Sequence, residues 1–496
     1  MVDKPRPGRT APHGAYMKIS CLTAQDPAVH TMFKPFALKM EERRIPSIVI
    51  NVFKCYYTQI IQGAQGKTCQ SDISPLLEGD VPAYESLEAY SDAGREALSQ
   101  TVVIKLNGGL GTSMGLERAK SLIPVKDGHT FLDIIVRQAK VLRKKYKSPL
   151  PLTFMNSFKT HRDTMLKVEG LDNGDTGIPL AFVQHMYPKI VEADLSPADW
   201  PGNPELEWNP PGHGDVYTAL VTSGLLAKLL KSGYRYAFIS NSDNLGAVMD
   251  SRLLGYIAQE KLPFLMEVAR RTHLDRKGGH LAKINLGSRL MLRELAQCPD
   301  NELEDFADID KYLYFNTNSL WVDLKVLEQV FVENLMMPLD LILNPKTLDP
   351  RDPDSPPVLQ VETAMGSAIS AFENARAVLV PRTRFAPVKT TQDLLLVMSD
   401  CYLRTKLETI EQNPLRTTAM PSIALDQKFY KKIDMFQERF PKGAPSLIDC
   451  ERLEVHGDVR FGKNVRISGA TRIINRSRKQ VKVPDGTQLE GEVLYG

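Results

Sequence analysis

The alternation of apolar and polar positions indicates how the middle of the chain is built. Between residues 101 and 400, short apolar runs such as TVVIKL (101–106) and YRYAFIS (234–240) alternate with longer stretches of helical periodicity. Strands that alternate with helices predict an α/β fold with a doubly wound, mainly parallel sheet. In such sheets ligands bind beyond the carboxyl ends of the strands. The functional residues are therefore expected in the loops that follow the strands.

The predicted helices carry recognisable end signals. TFLDIIVRQAKVLRKKY begins with Thr130 and Asp133 at the spacing of a capping box. YTALVTSGLLAKLLKS (217–232) is interpreted as one helix that ends at Gly233, as glycine commonly follows a helix. The other predicted strands are PLTFM, IPLAFVQ, PFLMEVA, YLYFNTNSLWV, VLQVE and AVLVP.

Both ends of the chain differ from this middle part. Residues 1–28 are rich in Pro, Gly and Arg and are expected to form a disordered tail, and 29–100 are expected to form a helical region. After the sheet domain at 101–400, we expect a partly helical linker at 401–440 and a separate C-terminal domain at 441–496.

The C-terminal domain has a six-residue apolar period with glycines at the turns. One series is Leu447, Leu453, Val459 and Val465, and a second, two positions later, is Val455, Phe461, Ile467 and Ile473. This pattern predicts a left-handed parallel β-helix, whose expected role is assembly or capping. A plain hairpin remains the alternative, although it would not keep a six-residue register in two series.

Composition narrows the possible functions. With 43% hydrophobic and 24% charged residues and a net charge of +3, the chain has the balance of a soluble globular protein. Nucleic-acid and membrane-surface roles are disfavoured because no concentrated basic face is indicated. The six cysteines form no CxxC pair, so neither a zinc site nor a disulfide framework is indicated. We expect a cytoplasmic protein without a secretory signal.

A glycine-rich turn follows the first predicted strand of the sheet. VVIKLNGGLGTSMGLERAK (102–120) contains Gly109, Gly111 and Gly115 and ends on Lys120. The glycine spacing is one residue longer than the dinucleotide fingerprint, and the Gly-Lys-Ser/Thr ending of a P-loop is absent. A dehydrogenase or an ATPase is therefore disfavoured. A tight turn that needs left-handed backbone, without any ligand, remains an open alternative.

Small and polar residues also follow several other predicted strands. Each has an alternative role: Asp243 as a turn cap, His213 as a loop support, Glu362 as a helix-cap partner, and Lys120 and Lys389 as surface lysines. Because these endings belong to one sheet, topology brings them together, and a polar ligand with phosphates is the expected occupant. The endings are Gly212–Asp215, Asn241–Asn244, Asn316 with Asn318, Glu362 and Lys389.

These segments resemble a known family in the same order along residues 99–399. The similarity is to the eukaryotic-type UTP–glucose-1-phosphate uridylyltransferases, or UDP-glucose pyrophosphorylases. It implies a nucleotidyltransferase (Rossmann-like) domain between a helical N-terminal part and a C-terminal β-helix. The matching motifs are LNGGLGTSMG with AKS, KDGHTFLDIIVRQ, PPGHGDVYTAL, SNSDNLGA, RRTHLDRKGGHL, ELAQCP, FNTNSLW, ETAMGSAI and RFAPVKTTQDLL.

The resemblance implies a role for each matching residue. Leu106, Gly108, Gly109 and Gly111 would lie under the uridine and its phosphates, and Lys120 would bind the triphosphate. Gln184 and the backbone of Gly212 would read the uracil edge, and His213 would touch the phosphate region. Asp243 would hold Mg²⁺, and Lys389 would bridge the reacting phosphates. Glucose would contact Asn241, Gly279, Asn316, Asn318 and Glu362.

The chain departs from the family pattern at three places. His185 and Met186 follow Gln184 where relatives often have other polar residues, and Ser319 stands where many carry a second Asn. Arg118 and Ala119 replace the frequent Gly-Pro before the lysine.

The implied reaction transfers UMP from UTP to glucose 1-phosphate, giving UDP-glucose and pyrophosphate, reversibly and with Mg²⁺. The alternatives are a UDP-sugar pyrophosphorylase of broader specificity and a non-catalytic UDP-sugar-binding assembly protein. A homo-oligomer through the C-terminal domain is possible within the family.

Overall fold

A computed structural model describes residues 27–116, 118–285 and 287–496. The tail expected at 1–28 lies outside the described residues, except for its last two positions, which begin a helix. In chain order, the α-helices are α1 Pro27–Glu42, α2 Ser47–Ile61, α3 Ser91–Ala97, α4 Phe131–Tyr146, α5 His161–Val168, α6 Val216–Thr222, α7 Leu225–Lys231, α8 Ser251–Gln259, α9 Leu303–Ala307, α10 Leu324–Asn334, α11 Thr391–Met398, α12 Gln427–Tyr430 and α13 Ile433–Arg439.

The strands include several of only two or three residues. They are β1 Ile73–Pro75, β2 Thr101–Asn107, β3 Pro124–Lys126, β4 His129–Thr130, β5 Leu152–Asn156, β6 Ala181–Val183, β7 Tyr187–Pro188, β8 Ile190–Val191, β9 Trp208–Asn209, β10 Tyr236–Asn241, β11 Phe264–Arg270, β12 His280–Ile284, β13 Leu290–Arg293, β14 Tyr314–Asp323, β15 Ile342–Thr347, β16 Pro357–Glu362, β17 Arg376–Leu379, β18 Tyr402–Arg404, β19 Ile410–Gln412, β20 Ser422–Leu425, β21 Cys450–His456, β22 Val459–Phe461, β23 Arg466–Asn475, β24 Val481–Val483 and β25 Gln488–Tyr495.

The chain divides into two compact units. The first unit consists of the described part of Met1–Ser86 together with Gln184–Arg235 and Ile257–Leu379. The second unit consists of Leu87–Val183, Tyr236–Tyr256 and Val380–Gly496. The predicted sheet domain at 101–400 therefore contributes residues to both units.

The second unit contains the parallel strands that the sequence predicts. Strands β10, β2, β5 and β6 pair side by side in parallel, with Asn241 opposite Leu106 and Asn107 opposite Asn156 at their carboxyl ends. All seven residues of β2 are buried, as expected for a strand covered on both faces. The prediction of a mixed α/β fold with a mainly parallel central sheet is confirmed.

The first unit contains a mixed set of strands. Strand β14 runs antiparallel to β11, β12 runs antiparallel to β13 and β1, and β17 runs parallel to β11. The predicted strand VLQVE is found as β16, but β16 pairs antiparallel with β15 and β8 in a separate small sheet. Periodicity predicts a strand but not its partner, which explains this difference.

The start of α4 at Thr130 agrees with the predicted helix signal, whereas the structure near Gly224 differs from the prediction. Thr130 and Asp133 form the expected capping box at the start of α4. The helix predicted over 217–232 is two helices, because Gly224 takes a left-handed conformation with φ of 72° between α6 and α7. The Ser223 hydroxyl donates to the Ala219 carbonyl at 2.6 Å, which helps to end α6.

The predicted N-terminal helical region forms α1 and α2 with an aromatic core. Phe33, Phe36, Phe53 and Tyr57 pack against one another with ring centroids 4.7 to 6.5 Å apart. Cys69, Cys298, Cys401 and Cys450 are free.

The C-terminal strands pair in parallel. Strands β20, β21, β23 and β25 form one parallel sheet, and β22 pairs in parallel with β24. Every residue of the two six-residue series noted in the sequence is buried. No helix in the described part of the chain combines the length and the apolar character needed to span a membrane.

Candidate functional site

In the second unit, the glycine turn brings Lys120 to the carboxyl end of β2. The Lys120 backbone N–H donates to the Gly109 carbonyl at 3.2 Å, and Leu110 and Ala119 form a bridge. The turn therefore folds back on itself. The Lys120 side chain then donates to Asp243 Oδ2 at 2.5 Å, with 15% of the Lys120 and 24% of the Asp243 side chain exposed. A cation and a carboxylate thus lie together, partly open to solvent.

Asp243 is held in place by the end of the parallel sheet. The Ser242 N–H donates to the Leu106 carbonyl at 3.0 Å, and the Ser242 hydroxyl donates to Asn107 Oδ1 at 3.2 Å. Asn107 is buried, and its Nδ2 donates to Asn156 Oδ1 at 2.8 Å. Asn107 is not among the predicted site residues, although it stands in the LNGG motif. It joins two strand ends and so supports Asp243.

Asn244 connects this strand end with the segment that carries Lys389. Its Nδ2 donates to the Arg384 carbonyl at 3.1 Å, and its Oδ1 accepts the Ala386 N–H at 3.0 Å. The Val388 N–H donates to the Asp243 carbonyl at 3.2 Å. Lys389 therefore follows directly after a residue bonded to Asp243. Lys389 itself is exposed at the start of α11, and its backbone N–H donates to Asp393 at 2.9 Å.

The turn glycines differ in their surroundings. A methyl group added to Gly109, which is exposed, would meet nothing within 4 Å, so this backbone is open to a ligand. A methyl on Gly111 would lie 2.4 Å from the Leu116 side chain, so Gly111 serves the packing of the turn. Gly108 and Asn241 are partly buried, and Leu106 is buried, at the adjoining strand ends.

The second unit offers Asp243 as a metal ligand. The described residues include no group of three or more His, Cys, Asp or Glu side chains that could hold a metal ion by themselves. Mg²⁺ is commonly bound by one or two carboxylates together with substrate phosphates and water. A single, partly exposed carboxylate beside a lysine fits that mode of binding.

In the first unit, the turn at Gly212–Asp215 is bonded to the end of β16. The Thr363 N–H donates to the Pro211 carbonyl at 2.8 Å, and the Gly214 N–H donates to the Thr363 carbonyl at 2.9 Å. Gly212 has φ of 79°, and a methyl group on it would lie 2.4 Å from the Thr363 carbonyl oxygen and 3.3 Å from Cβ of Glu362. Gly212 and Glu362, both predicted site residues, are thus neighbours.

We expect Gly212→Ala to destabilise the protein by more than about 2 kcal/mol, since it combines left-handed strain with a clash against backbone. Gly233→Ala is the matched control, because Gly233 has φ of 85° and open space around the added methyl. Denaturant unfolding measures both variants. Equal losses of stability would show that the close approach to Thr363 is unimportant.

His213 is held as a neutral imidazole. Its Nδ1 accepts the Met365 N–H at 2.9 Å, so in the neutral ring the proton is on Nε2. Burial lowers the pKa of His213 to about 4. At neutral pH the imidazole can therefore donate one hydrogen bond to an anion through Nε2 without carrying a charge.

Gly279, Asn316 and Asn318 are brought together by a bulge in β14. The pairing of β14 with β11 shifts register at this point, and Asn318 has φ of 57°. Asn316 Nδ2 consequently donates to Asn318 Oδ1 at 2.8 Å, and the Asn316 N–H donates to the Gly279 carbonyl at 3.0 Å. A methyl on Gly279 would lie 2.4 Å from Glu294 Oε2, which was not among the predicted residues. The amide groups form a compact polar cluster suited to hydroxyl groups.

Two further predicted residues belong to this unit. Gln184 is buried and directly follows β6. Glu362 ends β16, and burial raises its pKa above the ordinary value of 4.5, opposed by a hydrogen bond from Asn344 and by the charge of Lys346. The hydroxyl of Ser319 is buried and has no hydrogen-bond partner among the described residues.

Because the folded-state pKa of Glu362 is raised, its contribution to stability is present below about pH 4.5 and is lost as the pH rises through the folded value. We expect Glu362→Gln to raise Tm at pH 7 and to leave it unchanged near pH 4. The control is Glu373→Gln, which removes an exposed carboxylate paired with Arg289. Thermal unfolding at both pH values tests this, and a lower Tm for Glu362→Gln at pH 7 would contradict it.

The chain has clear relatives. Residues 50–468 match the family model described as UTP–glucose-1-phosphate uridylyltransferase. The UTP–glucose-1-phosphate uridylyltransferase of Solanum tuberosum is 42% identical over 428 residues, which cover 85% of this chain and 87% of the potato protein.

Solved structures agree with the sequence match. UDP-glucose pyrophosphorylase from Leishmania major is 40% identical, with a TM-score of 0.87 over 94% of this chain and 99% of the Leishmania chain. A mutant of the Leishmania protein in complex with UDP-glucose gives a TM-score of 0.86, also at 40% identity and with the same coverage of both chains. The chain belongs to the UTP–glucose-1-phosphate uridylyltransferase family.

Proposed function

We propose that this chain transfers the uridylyl group of UTP to glucose 1-phosphate and releases pyrophosphate. One observation carries the proposal beyond family membership: the Lys120–Asp243 contact of 2.5 Å lies beside the glycine turn, and Lys389 follows Val388, whose N–H donates to the Asp243 carbonyl. Two cations and a carboxylate at the end of a parallel sheet suit the reaction of two phosphate groups.

The chemistry requires positioning rather than proton transfer. A phosphate oxygen of glucose 1-phosphate forms a bond to the α-phosphorus of UTP, and the bond from that phosphorus to the β-phosphate oxygen breaks, releasing pyrophosphate. The nucleophile is already an anion near neutral pH, so no general base is needed. The task of the protein is to bring two anions together and to stabilise the charge of the in-line transition state.

The residues of the second unit are assigned to the phosphates. Lys120 binds the triphosphate, Lys389 bridges the two reacting phosphates, and the backbone of Gly108 and of the exposed Gly109 lies under the nucleotide. Asp243 holds Mg²⁺, which supplies further positive charge to the phosphate oxygens.

The residues of the first unit are assigned to the base and the sugar. Gln184 and the Gly212 backbone read the uracil edge, and His213 donates through Nε2 to the phosphate region. Hydroxyl groups of glucose bind Glu362 and the amide cluster that Asn316 and Asn318 form beside Gly279. From the second unit, Asn241 is also assigned to the sugar, and Leu106 and Gly111 are assigned to the nucleotide.

Specificity for the sugar is tested with a panel of substrates. Pyrophosphate release from UTP and Mg²⁺ is measured with glucose 1-phosphate, galactose 1-phosphate and N-acetylglucosamine 1-phosphate. We expect fast release with glucose 1-phosphate and weaker release with galactose 1-phosphate. Equal rates with all three sugars would favour the UDP-sugar pyrophosphorylase of broader specificity.

We also infer that the domain at 441–496 is a short left-handed parallel β-helix. In support, Val455 pairs with Ile473 and Ile473 pairs with Val493, so successive parallel strands are one coil of about 18 to 20 residues apart. We also propose that the protein is cytoplasmic and that it associates with further copies of itself through this domain. Sedimentation of the full chain and of a chain ending at residue 440 tests the association, and identical behaviour would contradict it.

A further inference from the structure

The segment after β6 and the turn before α6 are joined by a buried pair, His185 and Asp215. The His185 backbone N–H donates to Asp215 Oδ2 at 2.7 Å, and the ring Nδ1 lies 2.9 and 3.0 Å from the two carboxylate oxygens. The Asp215 side chain is 1% exposed and the His185 side chain 10%. One residue therefore supplies both a backbone and a side-chain donor to a buried carboxylate.

The second ring nitrogen of His185 is also bonded within the protein. Nε2 lies 2.9 Å from the hydroxyl of Thr222 in α6, and that hydroxyl lies 3.0 Å from the Thr218 carbonyl. Since Nδ1 faces a carboxylate, it carries a proton and donates to Asp215. Both ring nitrogens are thus engaged, which makes His185 a positioning residue rather than an acid or a base for the reaction.

The surroundings of Asp215 make this pair important. The phenol pKa values of Tyr56 and Tyr187 are raised mainly by burial, and the negative charge of Asp215 contributes to both shifts. Both tyrosines belong to the same hydrophobic core as Phe33, Phe36, Phe53 and Tyr57. A buried carboxylate in such surroundings is costly when it loses a hydrogen-bond donor.

The pair connects two segments that bear on base recognition. His185 directly follows Gln184, and Asp215 ends the turn that starts at Gly212. We propose that the His185–Asp215 pair fixes the Gln184 side chain relative to the Gly212 backbone, and so sets how strictly the enzyme selects uracil over other bases. This inference rests on the proposed function, which assigns the uracil edge to Gln184 and Gly212.

Hydrogen-bonded recognition of a base depends on accurate placement. A wrong base is rejected because it leaves buried polar groups of the site unpaired. When the Gln184 side chain and the Gly212 backbone can shift relative to each other, they can also form hydrogen bonds with a wrong base. The selectivity for uracil then falls. The residues assigned to the sugar are held by a different contact, the hydrogen bond from Asn316 to Gly279, so we expect the affinity for glucose 1-phosphate to be unchanged.

Two substitutions of His185 separate its two contacts. His185→Asn keeps a side-chain N–H near the position of Nδ1 and retains the bond to Asp215. His185→Gln places its amide nearer the position of Nε2, so the contact with Thr222 is kept and the side-chain bond to Asp215 is lost. Steady-state kinetics with UTP, with CTP and with varied glucose 1-phosphate is measured for each, together with Tm.

We expect His185→Gln to raise the KM for UTP about tenfold and to lower the ratio of kcat/KM for UTP over CTP about tenfold, because one donor to a buried carboxylate is lost. The KM for glucose 1-phosphate is expected to change by less than about twofold, since the sugar contacts are separate. His185→Asn is expected to restore most of the selectivity. Should His185→Gln fail to fold, Asp215→Asn provides the same comparison.

Arg235→Met is the matched control. It removes the guanidinium that donates to Asp323 at 3.0 Å, another nearly buried carboxylate of the first unit, which is 3% exposed. It is expected to lower Tm without changing the UTP-to-CTP ratio. If His185→Gln also lowers Tm and leaves that ratio unchanged, the inference is overturned and His185 is only structural. An inactive wild-type protein would overturn the proposed function and this inference with it.

Discussion

Replacing Lys389 by alanine is expected to lower kcat by on the order of a hundredfold or more, with little change in the KM for either substrate. Lys389 lies next to the residue whose N–H binds the Asp243 carbonyl, where its charge can follow the phosphates as they react. A charge that acts mainly on the transition state affects kcat more than ground-state binding. Initial rates of pyrophosphate release at saturating UTP and glucose 1-phosphate measure this effect.

Lys428→Ala is the control for this experiment. Lys428 is also exposed, and its backbone N–H also donates to an aspartate at the start of a short helix, at 3.0 Å from Asp426. Removal of its side chain is expected to leave kcat unchanged. A Lys389→Ala variant with near-normal kcat would remove Lys389 from the mechanism.

Asp243→Asn is expected to lower kcat/KM by on the order of a hundredfold or more and to raise the Mg²⁺ concentration needed for half-maximal rate. Asparagine keeps the size of the side chain and can still accept from Lys120. It lacks the negative charge that a hard divalent cation prefers in its ligand. Titration of activity with Mg²⁺ at fixed UTP distinguishes loss of metal binding from a general loss of activity.

Asp250, which lies close to Asp243 in the sequence, provides the control for this experiment. Asp250 Oδ1 accepts the Arg252 N–H at 2.9 Å near the start of α8, which is a capping role. Asp250→Asn is expected to lower Tm slightly while the Mg²⁺ dependence stays that of the wild type. An Asp243→Asn variant with unchanged Mg²⁺ dependence would show that Asp243 is not a metal ligand.

Local signals in the sequence predict the elements of the parallel sheet well. The apolar run predicts strand β2, which is buried along its whole length, and the spacing of Thr130 and Asp133 predicts the capping box that begins α4. The apolar series in the C-terminal domain likewise corresponds to buried positions. Each of these features depends on residues close together in the chain.

Features that depend on distant residues were not predictable in the same way. The bulge that pairs Asn316 with Asn318 arises from the register of β14 against β11, which no local pattern indicates. The contact between His185 and Asp215 joins residues of separate segments, and the tether from Asn244 to the Lys389 segment crosses more than a hundred residues. The polar residues could be recognised as candidates, but their partners required the structure.

The transfer reaction itself is tested most directly by product analysis. The purified protein is incubated with UTP, glucose 1-phosphate and Mg²⁺, and UDP-glucose and pyrophosphate are quantified over time. The account predicts that both products form in equal amounts, and that neither forms when glucose 1-phosphate is left out. Consumption of UTP without the sugar, or binding of UTP and glucose 1-phosphate without any UDP-glucose, would contradict it.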